Sequence, residues 1–133
     1  MNNKCIILAN GKSPNKKVIS FFKKLGFNYL ICADGGANSA VKLGLIPDLI
    51  IGDMDSIAKE TINHFEGKSR IVKLKRQNDT DVEKAIKYAI KNKYKEVLLL
   101  GAAGDRLDHT YCNLGIVLKF YKKILITIIS EKS

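Results

Sequence analysis

The feature of this sequence that most constrains its fold is a regular alternation of short apolar runs with amphipathic segments. The runs predict strands over residues 4–9, 29–33, 48–51, 70–74, 97–100 and 124–129. Most of them are apolar throughout, and strands of that kind, separated by helices, form parallel sheets that are covered on both faces. The predicted fold is therefore α/β, with a mostly parallel sheet between two helical layers.

The amphipathic segments predict the intervening helices. These cover residues 15–25, 37–43 and 59–65, a segment that starts at Thr80, and residues 108–121. The clearest begins with a capping box, in which Thr80 is followed three residues later by Glu83. Its apolar residues recur at the spacing of a buried helix face. They are Val82, Ala85, Ile86, Ala89 and Ile90.

Two further helices have predicted apolar faces. In the first predicted helix the face consists of Val18, Phe21, Phe22 and Leu25. In the last predicted helix the buried residues are expected to be Tyr111, Leu114, Val117, Leu118 and Tyr121. Gly44 is expected to end the 37–43 helix, as a C-terminal glycine does.

Composition narrows the class of protein. The 133 residues correspond to one domain, and no apolar run approaches the roughly 18 residues of a membrane helix. Three cysteines without CxxC spacing argue against a disulfide framework or a zinc site, and favour the reducing cytoplasm. The net charge of +10 favours anionic partners such as nucleotides or nucleic acid. No helix-turn-helix or zinc-finger signature supports the nucleic-acid alternative.

Polar clusters follow the predicted strands at their carboxyl ends. They cover residues 34–38, 52–56, 78–81 and 101–109. In open parallel sheets, ligands bind outside the carboxyl ends of the strands. Four such clusters at one edge predict a nucleotide or phosphate site.

The cluster over 52–56 carries two carboxylates. On an extended backbone, Asp53 and Asp55 point the same way, so both would project from the end of the strand. Mg²⁺ is usually held by one or two carboxylates together with substrate phosphates, and it would relieve their repulsion. The structural alternative is a solvated acidic turn in which Ser56 caps the next helix.

The other clusters each have a ligand-binding and a structural interpretation. Gly35 and Gly36 permit an anion to approach a helix N-terminus, or simply form a tight turn. They match neither a GxGxxG fingerprint nor a P-loop. Thr80 is explained as a helix cap, but Asp81 adds a carboxylate facing the same edge as Asp53.

The last cluster combines a cation, a carboxylate and an imidazole. Arg106 could hold phosphate oxygens at two points. Asp108 is either a ligand contact or a helix cap, and His109 is either a phosphate or base contact or a structural residue.

Taken together, the motifs at 33–38, 52–56, 78–81 and 106–109, with Asn113, resemble the successive motifs of the thiamine pyrophosphokinase family. Their order and spacing agree with that family. The resemblance implies a three-layer α/β/α, Rossmann-like domain. It also implies Mg²⁺-dependent transfer of diphosphate from ATP to thiamine, with release of AMP, by a homodimer.

The resemblance also assigns roles to individual residues. Asp53, Asp55 and Asp81 would hold Mg²⁺ and the triphosphate, and Arg106 would stabilise charge as AMP leaves. Further residues would surround the nucleotide. They are Asp34, Gly35, Gly36, Asn38, Ser56, Asn78, Thr80, Asp108 and His109.

The sequence departs from the family pattern in three respects. Asn78 stands where the family usually has Asp, and Asp105 where it has Gly, so Asp79 is the candidate to supply the missing metal ligand. The family's second, C-terminal β-sandwich domain has no counterpart before Ser133, so the resemblance implies the catalytic, ATP-binding domain alone over residues 1–133. A diphosphokinase acting on another alcohol, such as a hydroxymethylpterin, remains an alternative.

Overall fold

The computed structural model describes residues 3–11, 15–55, 57–74, 80–101 and 115–129. Its strands and helices follow in the order β1 (Lys4–Leu8), α1 (Lys16–Lys24), β2 (Tyr29–Ala33), α2 (Gly36–Leu43), β3 (Leu49–Gly52), α3 (Lys59–Phe65), β4 (Arg70–Lys73), α4 (Asp81–Lys91), β5 (Glu96–Leu100) and β6 (Leu125–Ile129). Residues 115–120, before β6, are also helical.

The six strands form one sheet in the order β4-β3-β2-β1-β5-β6. Every pair of neighbouring strands is parallel, which confirms the prediction. The chain first moves outward from β1 to β4 and then continues on the other side of β1 with β5 and β6. The order therefore reverses between β1 and β5, and such a point is where open α/β sheets bind ligands.

Helices cover both faces of the sheet, so the predicted three-layer architecture is confirmed. Successive residues of a strand point to opposite faces, and accordingly Ile6 packs in one core and Ile7 in the other. The first core includes Ile19 of α1 and Phe65 of α3. The second core includes Ile86 of α4. Fully apolar strands are explained by this burial on both sides.

The helix ends agree with the local signals in the sequence. The Asn15 side chain accepts a hydrogen bond from the Val18 N–H at 3.2 Å. Thr80 Oγ1 accepts one from the Glu83 N–H at 3.1 Å. Gly44 ends α2 in the left-handed conformation, with φ of 68°. The cap at Thr80 places Asp81 at the first position of α4.

Two predicted helix faces are wrong in part. In α1, Phe21 and Leu25 are exposed whereas Ile19 is completely buried. In the helical residues 115–120 and the turn after them, Leu118 and Tyr121 are also exposed. The buried residues there are Ile116 and Phe120, four apart on one face. Tyr111 and Leu114 lie outside the described residues.

The reason is that a run of apolar residues on a helix does not reveal which of them faces the sheet. Phe21 and Phe22 are consecutive and so point about 100° apart on a helix. Phe22 packs edge-to-face on Phe27, with ring centroids 5.8 Å apart. This orientation turns Phe21 outward.

No described helix has the length and hydrophobicity needed to cross a bilayer.

The described cysteines are structural. Cys5 and Cys32 are free thiols inside the two cores. Burial raises the pKa of each thiol to about 12. Since the thiolate is the nucleophilic form, neither residue is suited to covalent chemistry.

The orientation of α1 can be tested by paired substitutions. We expect Ile19→Ala to lower the free energy of unfolding by about 2–5 kcal/mol, because it leaves a cavity in the core. Phe21→Ala should cost no more than about 1.5 kcal/mol, the value of an edge-to-face ring contact such as the one with Phe22. Urea denaturation of both variants measures the difference. The reverse order of stabilities would contradict the burial of Ile19.

Candidate functional site

Three carboxylates meet at the carboxyl edge of the sheet. Asp34 follows β2, Asp53 follows β3 and Asp81 begins α4, and one oxygen atom from each lies within 4.8 Å of the others. Asp34 is buried, at 2% exposure, and the other two are half-buried. Like charges this close repel, and burial increases the cost. The arrangement, here called the carboxylate cluster, therefore favours a bound cation.

The backbone around Asp34 turns its side chain toward β3. Its φ of 44° is in the left-handed region, which is uncommon for residues other than glycine, although Asp tolerates it better than most. The Asp34 N–H donates to the Ile51 carbonyl at 2.8 Å, and the Asp34 carbonyl accepts from the Ala37 N–H at 3.1 Å. These two bonds fix the turn between β2 and α2.

Gly52 gives the carboxylate cluster the space it needs. Its φ is 152°, and a Cβ atom there would lie 2.9 Å from the Asp34 Cβ and 3.1 Å from Asp81 Oδ1. Any larger residue would crowd both Asp34 and Asp81 and force a shift in at least one of them. The glycine is thus required both by its backbone conformation and by the close approach of Asp34 and Asp81.

The expected extended backbone over residues 53–55 is wrong. β3 ends at Gly52, Met54 has a φ of 73°, and the Asp55 N–H donates to Asp53 Oδ1 at 3.0 Å. This turn leaves Asp55 exposed and outside the carboxylate cluster. Its role as a metal ligand remains a prediction.

Asp34, rather than the expected Asp55, is the third member of the carboxylate cluster. The sequence interpretation assigned Asp34 to nucleotide binding alone and so missed its proximity to Asp53 and Asp81. The signal was available in part, because Asp34 and Gly52 each come directly after a predicted strand. Predicting the proximity also requires the pairing of Ala33 with Ile51, which places the ends of β2 and β3 side by side.

The paired glycines allow α2 to begin against the end of β1. A Cβ atom on Gly36 would overlap the Leu8 carbonyl oxygen, and one on Gly35 would overlap the side chain of Asn10. Asn10, which the sequence interpretation did not select, therefore lies beside this turn. The start of a helix at a strand end is a favourable place for an anion.

Two predicted nucleotide contacts have structural partners. Asn38 Oδ1 accepts a hydrogen bond from the Ala58 N–H at 3.1 Å, which joins α2 to the start of α3. Thr80 Oγ1 caps α4. Their roles toward a nucleotide remain predictions.

A buried lysine that the sequence interpretation did not select lies beside the carboxylate cluster. Lys84 is 6% exposed, and its Nζ is 3.6 Å from Asp81 Oδ1. Residues three apart on a helix are neighbours, so the Asp81–Lys84 spacing could have indicated the pair. Its burial could not have been deduced from spacing alone.

The remaining predicted site residues lie outside the described residues. They are Ser56, Asn78, Asp79, Arg106, Asp108 and His109.

Comparison with known families identifies the architecture around this cluster. Residues 22–129 match the model of the thiamin pyrophosphokinase catalytic domain. The chain belongs to the thiamin pyrophosphokinase family. The match includes Asp34, Asp53 and Asp81, so the carboxylate cluster lies within the family domain.

Curated relatives agree with this assignment. Thiamine pyrophosphokinase 1 of Oryza sativa subsp. japonica is 30% identical in an alignment 124 residues long, and the match covers 76% of this chain and 47% of that protein. Thiamin pyrophosphokinase 1 of Caenorhabditis elegans is 28% identical in an alignment 101 residues long, and the match covers 69% of this chain and 40% of that protein. The chain therefore spans about half the length of the curated relatives it matches.

Solved structures share the fold. Thiamine pyrophosphokinase from Bacillus subtilis superimposes with a TM-score of 0.78 at 24% identity, over 95% of this chain and 60% of that one. A probable thiamine pyrophosphokinase from Staphylococcus saprophyticus gives a TM-score of 0.72 at 28% identity, over 96% and 65%. The α/β architecture of this chain is thus that of the family's catalytic domain.

The role of Gly52 is tested against a second glycine with positive φ. Gly67 has a φ of 84°, and a Cβ atom added to it would have nothing within 4 Å, so Gly67→Ala introduces backbone strain without crowding. We expect Gly52→Ala to destabilise the protein by roughly 2 kcal/mol more, since crowding adds about 1–3 kcal/mol to the strain. Urea denaturation compares the two. Equal losses would mean that Gly52 is needed only for its backbone conformation.

Proposed function

We propose that the chain is the nucleotide-binding catalytic domain of an enzyme that transfers diphosphate from ATP to thiamine, giving thiamine diphosphate and AMP. The observation that carries the proposal is the carboxylate cluster at the edge where α/β sheets bind ligands, inside the matched family domain. The names of the relatives support thiamine as the acceptor.

Mg²⁺ is the cation we propose for the cluster. Mg²⁺ prefers hard oxygen ligands, and Asp34, Asp53 and Asp81 offer three carboxylates above a glycine that leaves room for them. When bound there, the ion would neutralise charge on the phosphate oxygens. Asp55 and Asp79 remain predicted further ligands.

The protein's own contribution is positioning. Diphosphate transfer, like other phosphoryl transfers, depends on alignment and charge neutralisation more than on covalent chemistry. The ends of β2 and β3 and the first turn of α4 fix the carboxylates, while the turn at Gly35 and Gly36 lets phosphate oxygens approach the backbone. Arg106 and His109 are proposed to complete the phosphate contacts.

We further propose that the working form is a cytoplasmic homodimer. The free, buried thiols of Cys5 and Cys32 suit a reducing compartment. Large apolar side chains that are exposed near the β6 edge of the sheet suit a protein contact. They are Leu118, Tyr121 and Leu125. Sedimentation at micromolar protein concentration measures the mass, and a monomer at all concentrations would contradict the dimer.

The metal role is tested with Asp53→Asn. This substitution keeps an oxygen that can accept the hydrogen bond from the Asp55 N–H but removes the charge. We expect the Kd for ATP in the presence of Mg²⁺ to rise at least about tenfold, the value of a lost charged contact. The unfolding midpoint without metal should be equal or higher, because repulsion within the cluster falls. Isothermal titration calorimetry with and without Mg²⁺ gives the affinities.

Glu96→Gln is the matched control, because Glu96 begins β5 and so lies at the amino ends of the strands, opposite the carboxylate cluster. It should leave Mg²⁺-dependent ATP binding unchanged. ATP affinity that does not depend on Mg²⁺ in the unsubstituted protein would contradict the proposed function.

The acceptor is tested by following AMP release with thiamine or a hydroxymethylpterin present, and release that requires the pterin would overturn thiamine as substrate.

A further inference from the structure

Lys84 and Asp81 form an ion pair beside the carboxylate cluster. We propose that Lys84 is the built-in counter-ion of the carboxylate cluster, offsetting its charge before a cation arrives and opposing the binding of a cation without nucleotide. Lys84 is thus a positioning residue that makes cation binding depend on ATP. The dependence of cation binding on ATP rests on the proposed function, whereas the counter-ion role of Lys84 does not.

The fold buries most of the side chain that carries the ammonium group. The Lys84 side chain is 5% exposed, and its Nζ lies 3.6 Å from Asp81 Oδ1. The next two residues, Ala85 and Ile86, are fully buried against the sheet, which draws this turn of α4 inward. Buried charges are costly unless they are paired, so this contact differs from a screened surface ion pair.

Lys84 affects all three carboxylates because Asp81 lies close both to its ammonium group and to the other two members of the cluster. Asp81 contributes an oxygen within 4.8 Å of the oxygens of Asp34 and Asp53, and it also contacts the ammonium group. Without a cation, the lysine reduces the repulsion among the three carboxylates. A divalent cation bound by Asp81 would lie close to the ammonium group, and the two positive charges would repel.

ATP changes this balance because its phosphates bring negative charge to the same edge. The cation–ammonium repulsion is then offset, so the cation binds well as a complex with the nucleotide and poorly alone. A lysine that only filled space in the core would have no such effect on the order of binding.

The test compares Lys84→Met with Lys91→Met. Both remove one positive charge from α4, but Lys91 is exposed and lies in the last turn, far from Asp81. In EDTA, Lys84→Met should lower the melting temperature by at least about 4 °C. Adding Mn²⁺ without nucleotide should restore most of the loss, and the Mn²⁺ affinity should exceed that of the unsubstituted protein by about fivefold. Lys91→Met should change neither the response to Mn²⁺ nor its affinity.

Mn²⁺ binding is measured by calorimetry and by electron paramagnetic resonance. Equal or weaker Mn²⁺ affinity in Lys84→Met would overturn the inference while leaving the proposed function standing. Lys84→Arg keeps the charge and should bind Mn²⁺ as the unsubstituted protein does, and tighter binding there would also overturn it. Lys84→Gln supplies the same readout if the methionine variant does not fold in either condition.

A second measurement needs neither metal nor ATP. In EDTA, the loss of melting temperature caused by Lys84→Met should shrink by at least half in an Asp81→Asn background, because the charge that the lysine offsets is then gone. An equal loss in both backgrounds would overturn the counter-ion role. Failure of Mn²⁺ to bind the unsubstituted protein even with ATP would instead count against the proposed function.

Discussion

The site depends on the register between β2 and β3. Ala33 pairs with Ile51, and the Asp34 N–H donates to the Ile51 carbonyl, so the two strands end side by side. That register brings Asp34 over Gly52 and next to Asp53. A slip of one residue would point each side chain to the opposite face of the sheet and separate the carboxylates. Neighbouring parts of the fold, including the turn at Gly35 and the cap at Thr80, maintain this arrangement.

The strands and helices could be predicted from the sequence because their signals are local. Fully apolar runs, the capping box at Thr80 and the terminal glycine at Gly44 each act within one turn or one strand. The orientation of α1 could not be predicted, since the choice between Ile19 and Phe21 is made by the sheet and by Phe27. Pattern alone identifies a helix more securely than the face that it buries.

The candidate site was predictable only in part, for the same physical reason. Spacing placed Asp53 and Asp81 at one edge, but the left-handed turn at Met54, which removes Asp55 from the carboxylate cluster, has no clear signature in the sequence. Asp34 and Lys84 join the site through strand pairing and helix packing, which connect residues distant in sequence. Charges that meet in three dimensions require the fold before their partners can be named.

The pairing of β1 with β5 joins strands that are farther apart in sequence than any other neighbouring pair in the described sheet. Lys4 pairs with Glu96, and these residues are far apart along the chain, so this closure carries a large entropic cost and depends on contacts of long sequence separation. Asp34, Asp53 and Asp81 all come from the intervening segment. The loop that this pairing closes therefore contains every residue of the carboxylate cluster, and α4, which carries Asp81, packs against β1 as well as against β2 and β3. Bringing the three charges together thus carries part of the entropic cost of that closure.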